Sequence, residues 1–292
     1  MKKSNTAALA NRLAYDAMRE GEYMCGAPHL SHDAIRNLYE QIVHRAYNIA
    51  SQDGRVPTVL DLGAGDGIAT IPFLSLGAYV TAVDISSRQL DQLRERCVKF
   101  GQRIDVRCGD VFDIMKDGRK FDIVVANSFL HHVPDYMSLI EAMTSTLSEG
   151  GVIMTFQDPM LYKSCSFRDS TLTQASYFFW RIRQKEVLSG LVRRIRRGMG
   201  IFHENSIHDN AEYHVVRDGV NQVAIRELLI GKGFNCSILE YGSFMSNFWQ
   251  KLGDKLEVKN TFAVLANRYG EVESIGLQPS FSNTVGSSLT GC

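Results

Sequence analysis

The chain has 292 residues, room for one large domain or for one domain with a sizeable insertion. Apolar residues make up 45% of it, enough to fill a core and too many for a disordered chain. Lysine plus arginine and aspartate plus glutamate both stand at 32, a balance that argues against a general nucleic-acid binder, which needs a positive excess to displace counterions from phosphates.

Residues 1–50 read as an N-terminal helical cap. Leu9, Ala10, Leu13 and Ala17 fit one helical stripe, and Ile35, Leu38, Ile42, Val43 and Ala46 fit another. Gly26-Ala27-Pro28 separates the two, and Asp33 is placed to cap the second. From Val56 the pattern changes to short apolar runs alternating with amphipathic ones. Strands are predicted over 56–62, 79–83, 104–107, 121–126 and 152–156, with helices over 68–76, 86–100 and 136–147 between them. Such alternation implies parallel β-α-β units and a doubly wound α/β sheet. Residues 158–215 form a long insertion, after which a helix (220–231) and two strands (234–241 and 261–266) close a domain spanning 51–270. The tail, 271–292, is polar and rich in serine and glycine, and is expected to be disordered.

The chemistry-bearing stretches lie at the predicted strand ends. Val59-Leu60-Asp61-Leu62-Gly63-Ala64-Gly65-Asp66-Gly67 runs a buried strand into a glycine turn and a helix start. A dehydrogenase fingerprint also uses a glycine turn, but here Ile68 stands where that pattern wants its third glycine. Asp61 adds a carboxylate that would repel a pyrophosphate and suit a cationic amine. Asp84 ends the second strand, where an acid can accept from ribose hydroxyls. Asp110, in Cys108-Gly109-Asp110-Val111, follows the third strand and can accept from an exocyclic amine or cap the next helix. Ala126-Asn127-Ser128-Phe129-Leu130-His131-His132-Val133 ends the fourth, and Leu147-Ser148-Glu149-Gly150-Gly151 reads as a helix stop and turn before the fifth.

In this order the stretches VLDLGAGDG, VTAVDIS, CGDVFD, FDIVVANSFLHHVPD and LSEGGVIM resemble the class I S-adenosylmethionine-dependent methyltransferases over roughly residues 55–156. The resemblance implies a Rossmann-like seven-stranded sheet whose last strand is antiparallel, S-adenosyl-L-methionine as cofactor, and a small-molecule acceptor. It implies that Gly63, Ala64 and Gly65 line the methionine part with Asp61 near its amino group, that Asp84 holds the ribose and Asp110 the adenine, that Ile85 and Val111 border the ring, and that Asn127 sits near the sulfonium. The N-terminal helices, with Tyr15 and Tyr23, are expected to close over the cofactor.

Of the two histidines, His131 is the first candidate for a general base, should the acceptor have a proton to lose. No metal site is expected, because Asp135 is the only nearby carboxylate. In the insertion, Leu188, Leu191, Val192 and Ile195 share a helical face opposite arginines. That pattern fits a lid, an arginine fork for an anionic acceptor, or peripheral docking on a membrane to reach a lipid-like one. His203, Glu204, His208, Asp209, Tyr213 and His214 follow within reach of such an acceptor. The six cysteines contain no C-x-x-C pair, and with no secretory signal they read as free thiols in a cytoplasmic protein. The competing readings are an NAD-dependent oxidoreductase or epimerase and a non-catalytic adenosylmethionine-binding protein.

Overall fold

The alternating runs assemble into one seven-stranded sheet in the computed structural model, which describes residues 2–17, 32–52, 54–183, 196–197, 199–203 and 206–268. The strands are β1 (Thr58–Leu62), β2 (Tyr79–Asp84), β3 (Ile104–Cys108), β4 (Phe121–Asn127), β5 (Leu147–Pro159), β6 (Asn235–Tyr241) and β7 (Thr261–Asn267). Their spatial order is β3-β2-β1-β4-β5-β7-β6. The first five are mutually parallel, and β7 runs antiparallel to both β5 and β6. The helices are α1 (Lys2–Ala17), α2 (Asp33–Ala50), α3 (Thr70–Ser75), α4 (Ser87–Cys97), α5 (Val111–Met115), α6 (Tyr136–Thr146), α7 (Phe167–Arg183), α8 (Ile207–Asn210), α9 (Gln222–Gly231) and α10 (Asn247–Lys255).

Side chains alternate between the faces of a strand, so neighbours enter different cores. Val59, Val80 and Ile123 pack with Ile42, Phe73 and Leu90 of α2, α3 and α4. Leu60, Leu62 and Val124 pack on the opposite face with Val111, Leu139 and Ile225 of α5, α6 and α9. Helices on both faces explain why the central strands are apolar throughout. Helix starts are fixed by side-chain caps: Ser86 accepts from Gln89 N, Asp110 from Phe112 N, Asp135 from Ser138 N and Asn221 from Ala224 N. Each cap satisfies an N–H that the helix cannot, and Ser86, Asp110 and Asp135 set helix starts close to the carboxyl ends of β2, β3 and β4.

Three local expectations are corrected. The inward face of α1 is Ala7, Ala10 and Asn11, while Leu9 and Leu13 are exposed. The small alanines allow close approach of the helix, and on the same face Asn11 Nδ2 donates to the carbonyl of His132 (3.4 Å). Residues 147–151 continue as strand, because Leu147 pairs with Phe121 and the turn-forming glycines are absorbed as an irregularity in register. The cap position of α2 is His32, not Asp33, and its ring bonds Asn247 Oδ1 (2.8 Å) and the carbonyl of Phe244 (2.6 Å), tying α2 to α10. Tyr23, the break at 26–28, the Leu188–Ile195 face and the 271–292 tail lie outside the described residues.

Candidate active site

Strand order reverses between β1 and β4, since the chain builds outward from β1 to β3 and then returns to the other side. Such a switch point leaves a crevice at the carboxyl ends of the strands. A cavity, partly open to solvent, lies there.

Its floor is the turn after β1. Gly63 (φ +73) and Gly65 (φ +52) adopt left-handed conformations that favour glycine. A Cβ on Gly63 would stand 2.1 Å from the Phe129 ring, whereas one on Gly65 would meet no atom within 4 Å. Phe129 thus packs flat on Gly63, and Gly65 leaves open space above it. The turn's amides are spent internally: Gly63 and Ala64 N–H both donate to the Val83 carbonyl (2.9 Å each), Gly67 N–H to Ala64 (2.9 Å), and Gly65 N–H to Asp84 Oδ2 (2.9 Å). A phosphate cradle needs such groups free.

The lining carries Asp61, Asp66, Asp84 and Asp110 and no lysine or arginine. Asp61, at the end of β1, is fully buried. Burial pushes its carboxyl up to about 7, against the lowering effect of the Thr70 hydroxyl, which donates to Oδ2 at 2.6 Å. Asp84 accepts from Ser86 N–H (2.8 Å) as well as Gly65, and burial raises it too. Asp66 is turned aside: Arg96 bonds both its carboxylate (2.9 Å) and its carbonyl (2.7 Å). Asp110 gives one oxygen to the start of α5 at 2.9 Å. Asn11, Asp61 and Asn127 each keep a buried oxygen with no partner among the described residues. Unmatched buried acceptors are costly, so the cavity is built for a ligand rich in donors and positive in charge. An amino-acid nucleoside with an ammonium, two ribose hydroxyls, an exocyclic amine and a sulfonium fits this donor set. All nine residues expected to hold it, Asp61, Gly63, Ala64, Gly65, Asp84, Ile85, Asp110, Val111 and Asn127, line the same cavity.

The two histidines separate. His131 is not among the lining residues; its backbone N–H (3.1 Å) and ring Nδ1 (2.7 Å) both bond Oδ1 of the fully buried Asp158. Burial lowers His131 and raises Asp158. His132 lines the cavity. Its Nδ1 bonds the carbonyl of Ala211 (2.5 Å), which makes Nδ1 the protonated nitrogen and leaves Nε2 as an acceptor for the Tyr15 hydroxyl (3.0 Å). Burial, reinforced by His131, pulls His132 down to about 3, so the ring is neutral. The sequence points to Tyr15 and to both histidines, but not to the pairing of Tyr15 with His132 nor to Asn11 and Asp158, because their partners lie far along the chain.

α1 is fastened over this site at its far end. Ser86 Oγ donates to Asp16 Oδ1 (2.5 Å), Arg88 to the Asp16 carbonyl (2.7 Å) and Gln89 Nε2 to the Tyr15 carbonyl (3.4 Å). In the insertion, the buried Asp209 accepts from Arg196 (2.6 Å), Arg197 (2.8 Å) and the N–H of His203 (2.9 Å). Burial pushes the Asp209 carboxyl up, but these donors prevail and hold it at about 2. Arg217 lies 3.7 Å over the Tyr213 ring and 4.3 Å over Phe202. His214 N–H donates to the His131 carbonyl at 2.8 Å. Glu204 and the His208 side chain lie outside the described residues. Among the described residues no His, Cys, Asp and Glu group could hold a metal ion, and no helix is long and apolar enough to cross a membrane.

A family model described as a methyltransferase domain matches residues 59–151. The chain is 33% identical over 100 residues to the ubiquinone biosynthesis O-methyltransferase of Actinobacillus pleuropneumoniae, covering 32% of this chain and 43% of that one. It is 29% identical over 121 residues to the protein of the same name from Coxiella burnetii, covering 41% and 50%. The chain thus spans about half the length of the curated relatives it matches. The structure of the plantazolicin methyltransferase in complex with adenosylhomocysteine superposes over 91% of this chain and 96% of its own, with a TM-score of 0.53 at 12% identity, a likeness of fold. The matched stretch contains every one of the nine cavity residues expected to hold the cofactor, and over residues 59–151 the chain is similar to a methyltransferase domain.

Proposed function

We propose that the protein transfers the methyl group of S-adenosylmethionine to a hydroxyl oxygen of a largely apolar small molecule. The observation that carries this reading is the cavity's charge: Asp61, Asp84 and Asp110 around one space, no cationic side chain, and a glycine turn whose amides are already spent. This opposes a pyrophosphate and therefore the NAD-dependent reading. Asp61 pairs the ammonium, Asp84 the ribose hydroxyls through its remaining lone pairs and Asp110 the adenine amine through its second oxygen. Ile85 and Val111 border the ring, Gly63, Ala64 and Gly65 flank the methionyl chain, and Asn127 supplies its free oxygen near the sulfonium. Bound S-adenosylmethionine supplies a methyl already activated on sulfur, which passes in line to the acceptor oxygen with adenosylhomocysteine leaving.

The protein's share is alignment, worth up to roughly 7–11 kcal/mol in ideal systems, and removal of the acceptor's proton. The neutral His132 is oriented for the second task, with Nδ1–H fixed on Ala211 and Nε2 facing Tyr15. A hydroxyl gains acidity as its oxygen bonds the methyl carbon, so a weak base suffices; the proton goes to His132 Nε2, directly or through the Tyr15 hydroxyl. The base role therefore falls to His132 and not to His131, which supports its neighbour from the Asp158 side (ring centroids 4.1 Å apart). The relatives' name, O-methyltransferase, agrees with an oxygen acceptor. An anionic acceptor gains no support from Arg196 and Arg197, which are committed to Asp209. In this reading residues 1–50 cap the site and residues 158–215 form its lid, and the free thiols of Cys97, Cys108, Cys165 and Cys236 agree with a cytoplasmic setting. Titration calorimetry tests the reading: adenosylmethionine and adenosylhomocysteine should bind and NAD should not. Heat from the dinucleotide alone overturns it, and binding without methyl transfer to any phenol or alcohol would favour the non-catalytic alternative.

A further inference from the structure

We propose that Asp158 is a positioning residue for the methyl transfer: its buried carboxylate fixes His131 and supplies the countercharge for the imidazolium that forms on His132. The proposal rests on the reading of His132 as the base. A buried ring that takes a proton becomes a cation in a medium of low dielectric, which is costly without a negative charge in reach. The direct partners of His132, the Ala211 carbonyl and the Tyr15 hydroxyl, are neutral.

A bulge brings the charge. In β5, Val152, Met154 and Phe156 pack on the face covered by α2, and Ile153 packs on the opposite face. Continued alternation would place Asp158 beside Phe156, which meets Tyr39 of α2. However, Thr155 pairs with Val264 and Asp158 with Phe262, so β5 takes three steps where β7 takes two. The bulge holds Gln157 in a left-handed conformation (φ +67). Its N–H donates to the Tyr241 hydroxyl (3.2 Å), which donates to its Oε1 (3.1 Å), and its Nε2 donates to Ser243 Oγ (2.6 Å). Beyond it the faces exchange: Met160 joins Ile153 and Leu130 in one cluster, and Asp158 meets the turn Leu130–His132. Strain of this kind persists where surrounding contacts enforce it, and bulges re-aim side chains beside active sites.

The charge of Asp158 exceeds what its bonds require. Both His131 N–H groups fall on Oδ1 (3.1 and 2.7 Å), while Oδ2 is buried with no partner among the described residues. An anchor for the turn needs one acceptor oxygen, which an asparagine has. A carboxylate adds a buried charge, costly unless it is used. The groups that act on it are His131, His132 and His214, with Tyr241 on the bulge side. Burial raises Asp158 to about 7 against the pull of the His131 N–H, so it is ionised above neutrality. Burial and His131 lower His132, and Asp158 raises it. This coupling crosses the His131 ring, whose centroid lies 4.1 Å from that of His132. As the acceptor oxygen bonds the methyl carbon and the carbon–sulfur pair returns to sulfur, the proton passes to His132 Nε2. Asp158 keeps its charge throughout and takes no proton.

Asp158→Asn keeps an acceptor for both His131 N–H groups and removes only the charge. At pH 8, kcat on a phenol that remains protonated, such as para-cresol, should fall roughly ten- to a hundred-fold, part of what a general base contributes. KM, thermal melting and adenosylmethionine affinity should stay near wild type. On para-nitrophenol, already ionised and in no need of a base, kcat should match wild type. An equal loss on both phenols overturns the proposal as a structural defect, and no loss on either overturns it as an idle charge. A variant that fails to fold overturns it as well, because the carboxylate would then hold the fold and not the base. So does carbon NMR of wild-type protein labelled at aspartate, if the carboxyl signal that disappears in the variant is still protonated at pH 8. Failure of the methyl-transfer reading would appear in the wild type instead, as no turnover of any phenol or alcohol, and would take this proposal with it.

Discussion

The two halves of the cavity are held in opposite ways. At the tips of β1, β2 and β3 the three carboxylates expected to hold the cofactor find partners nearby in sequence: Asp110 and Phe112 are two residues apart, as are Asp84 and Ser86, while Asp61 and Thr70 are nine and Asp84 and Gly65 nineteen. Across the cavity, Tyr15 and His132 are 117 residues apart, Asn11 and His132 121, and His132 and Ala211 79. The cofactor half is a set of local strand-to-helix turns that each strand tip specifies for itself. The acceptor half exists only once α1, the end of β4 and the insertion have closed on one another. This difference explains why one half is legible as motifs and the other is not. It also separates their energetics: loss of a local contact weakens ligand binding, whereas loss of a long-range one disturbs the chemistry and the closure of the cap.

The sharpest attempt to break the comparison is at His132. His132→Ala should lower kcat by roughly 10²–10⁴, the range of a general base, and leave adenosylmethionine affinity nearly unchanged in calorimetry. Tyr15→Phe should cost less, about ten-fold, if it only relays or orients. Equal losses of cofactor affinity in either variant would mean that the two halves are not separable. Because His132 stays neutral down to about 3, kcat should show no acid limb from it in the neutral range.

Next in size is Gly63→Ala, on the cofactor side. The new methyl meets the Phe129 ring in a left-handed backbone, and strain and overpacking together should cost roughly 2–4 kcal/mol of stability, with cofactor binding lost. Gly65→Ala, which meets no atom, should fold better yet still impair binding, and thermal melting beside calorimetry distinguishes the two. Asp84→Ala should weaken adenosylmethionine by roughly 1–3 kcal/mol, and unchanged affinity would count against the ribose assignment.

The smallest effect is one of pH. Burial raises Asp61 to about 7, so the group is protonated on the acid side of that value and ionised above it. An ammonium ligand favours the ionised form. Affinity should therefore rise from pH 6 to pH 8 and fall by up to about ten-fold per unit below 7. Asp61→Asn should flatten this profile, and a wild-type affinity that is level over the same range would remove Asp61 from the ammonium.

The sequence by itself determined the strand-helix alternation, the doubly wound sheet and the places of Asp61, Asp84, Asp110 and the glycine turn, because periodicity and turn chemistry act within a few residues of where they are written. Only the tertiary structure decided that α1 turns Ala7, Ala10 and Asn11 inward in place of Leu9 and Leu13, since the face it meets carries the His132 carbonyl that Asn11 bonds. It alone decided that residues 147–151 extend β5 instead of turning, because pairing with Phe121 outweighs the local preference of glycine. It alone told two adjacent histidines apart, giving His131 to Asp158 and His132 to the cavity. Adjacent residues carry the same local signal, and what separates them is which distant groups the fold brings to each side.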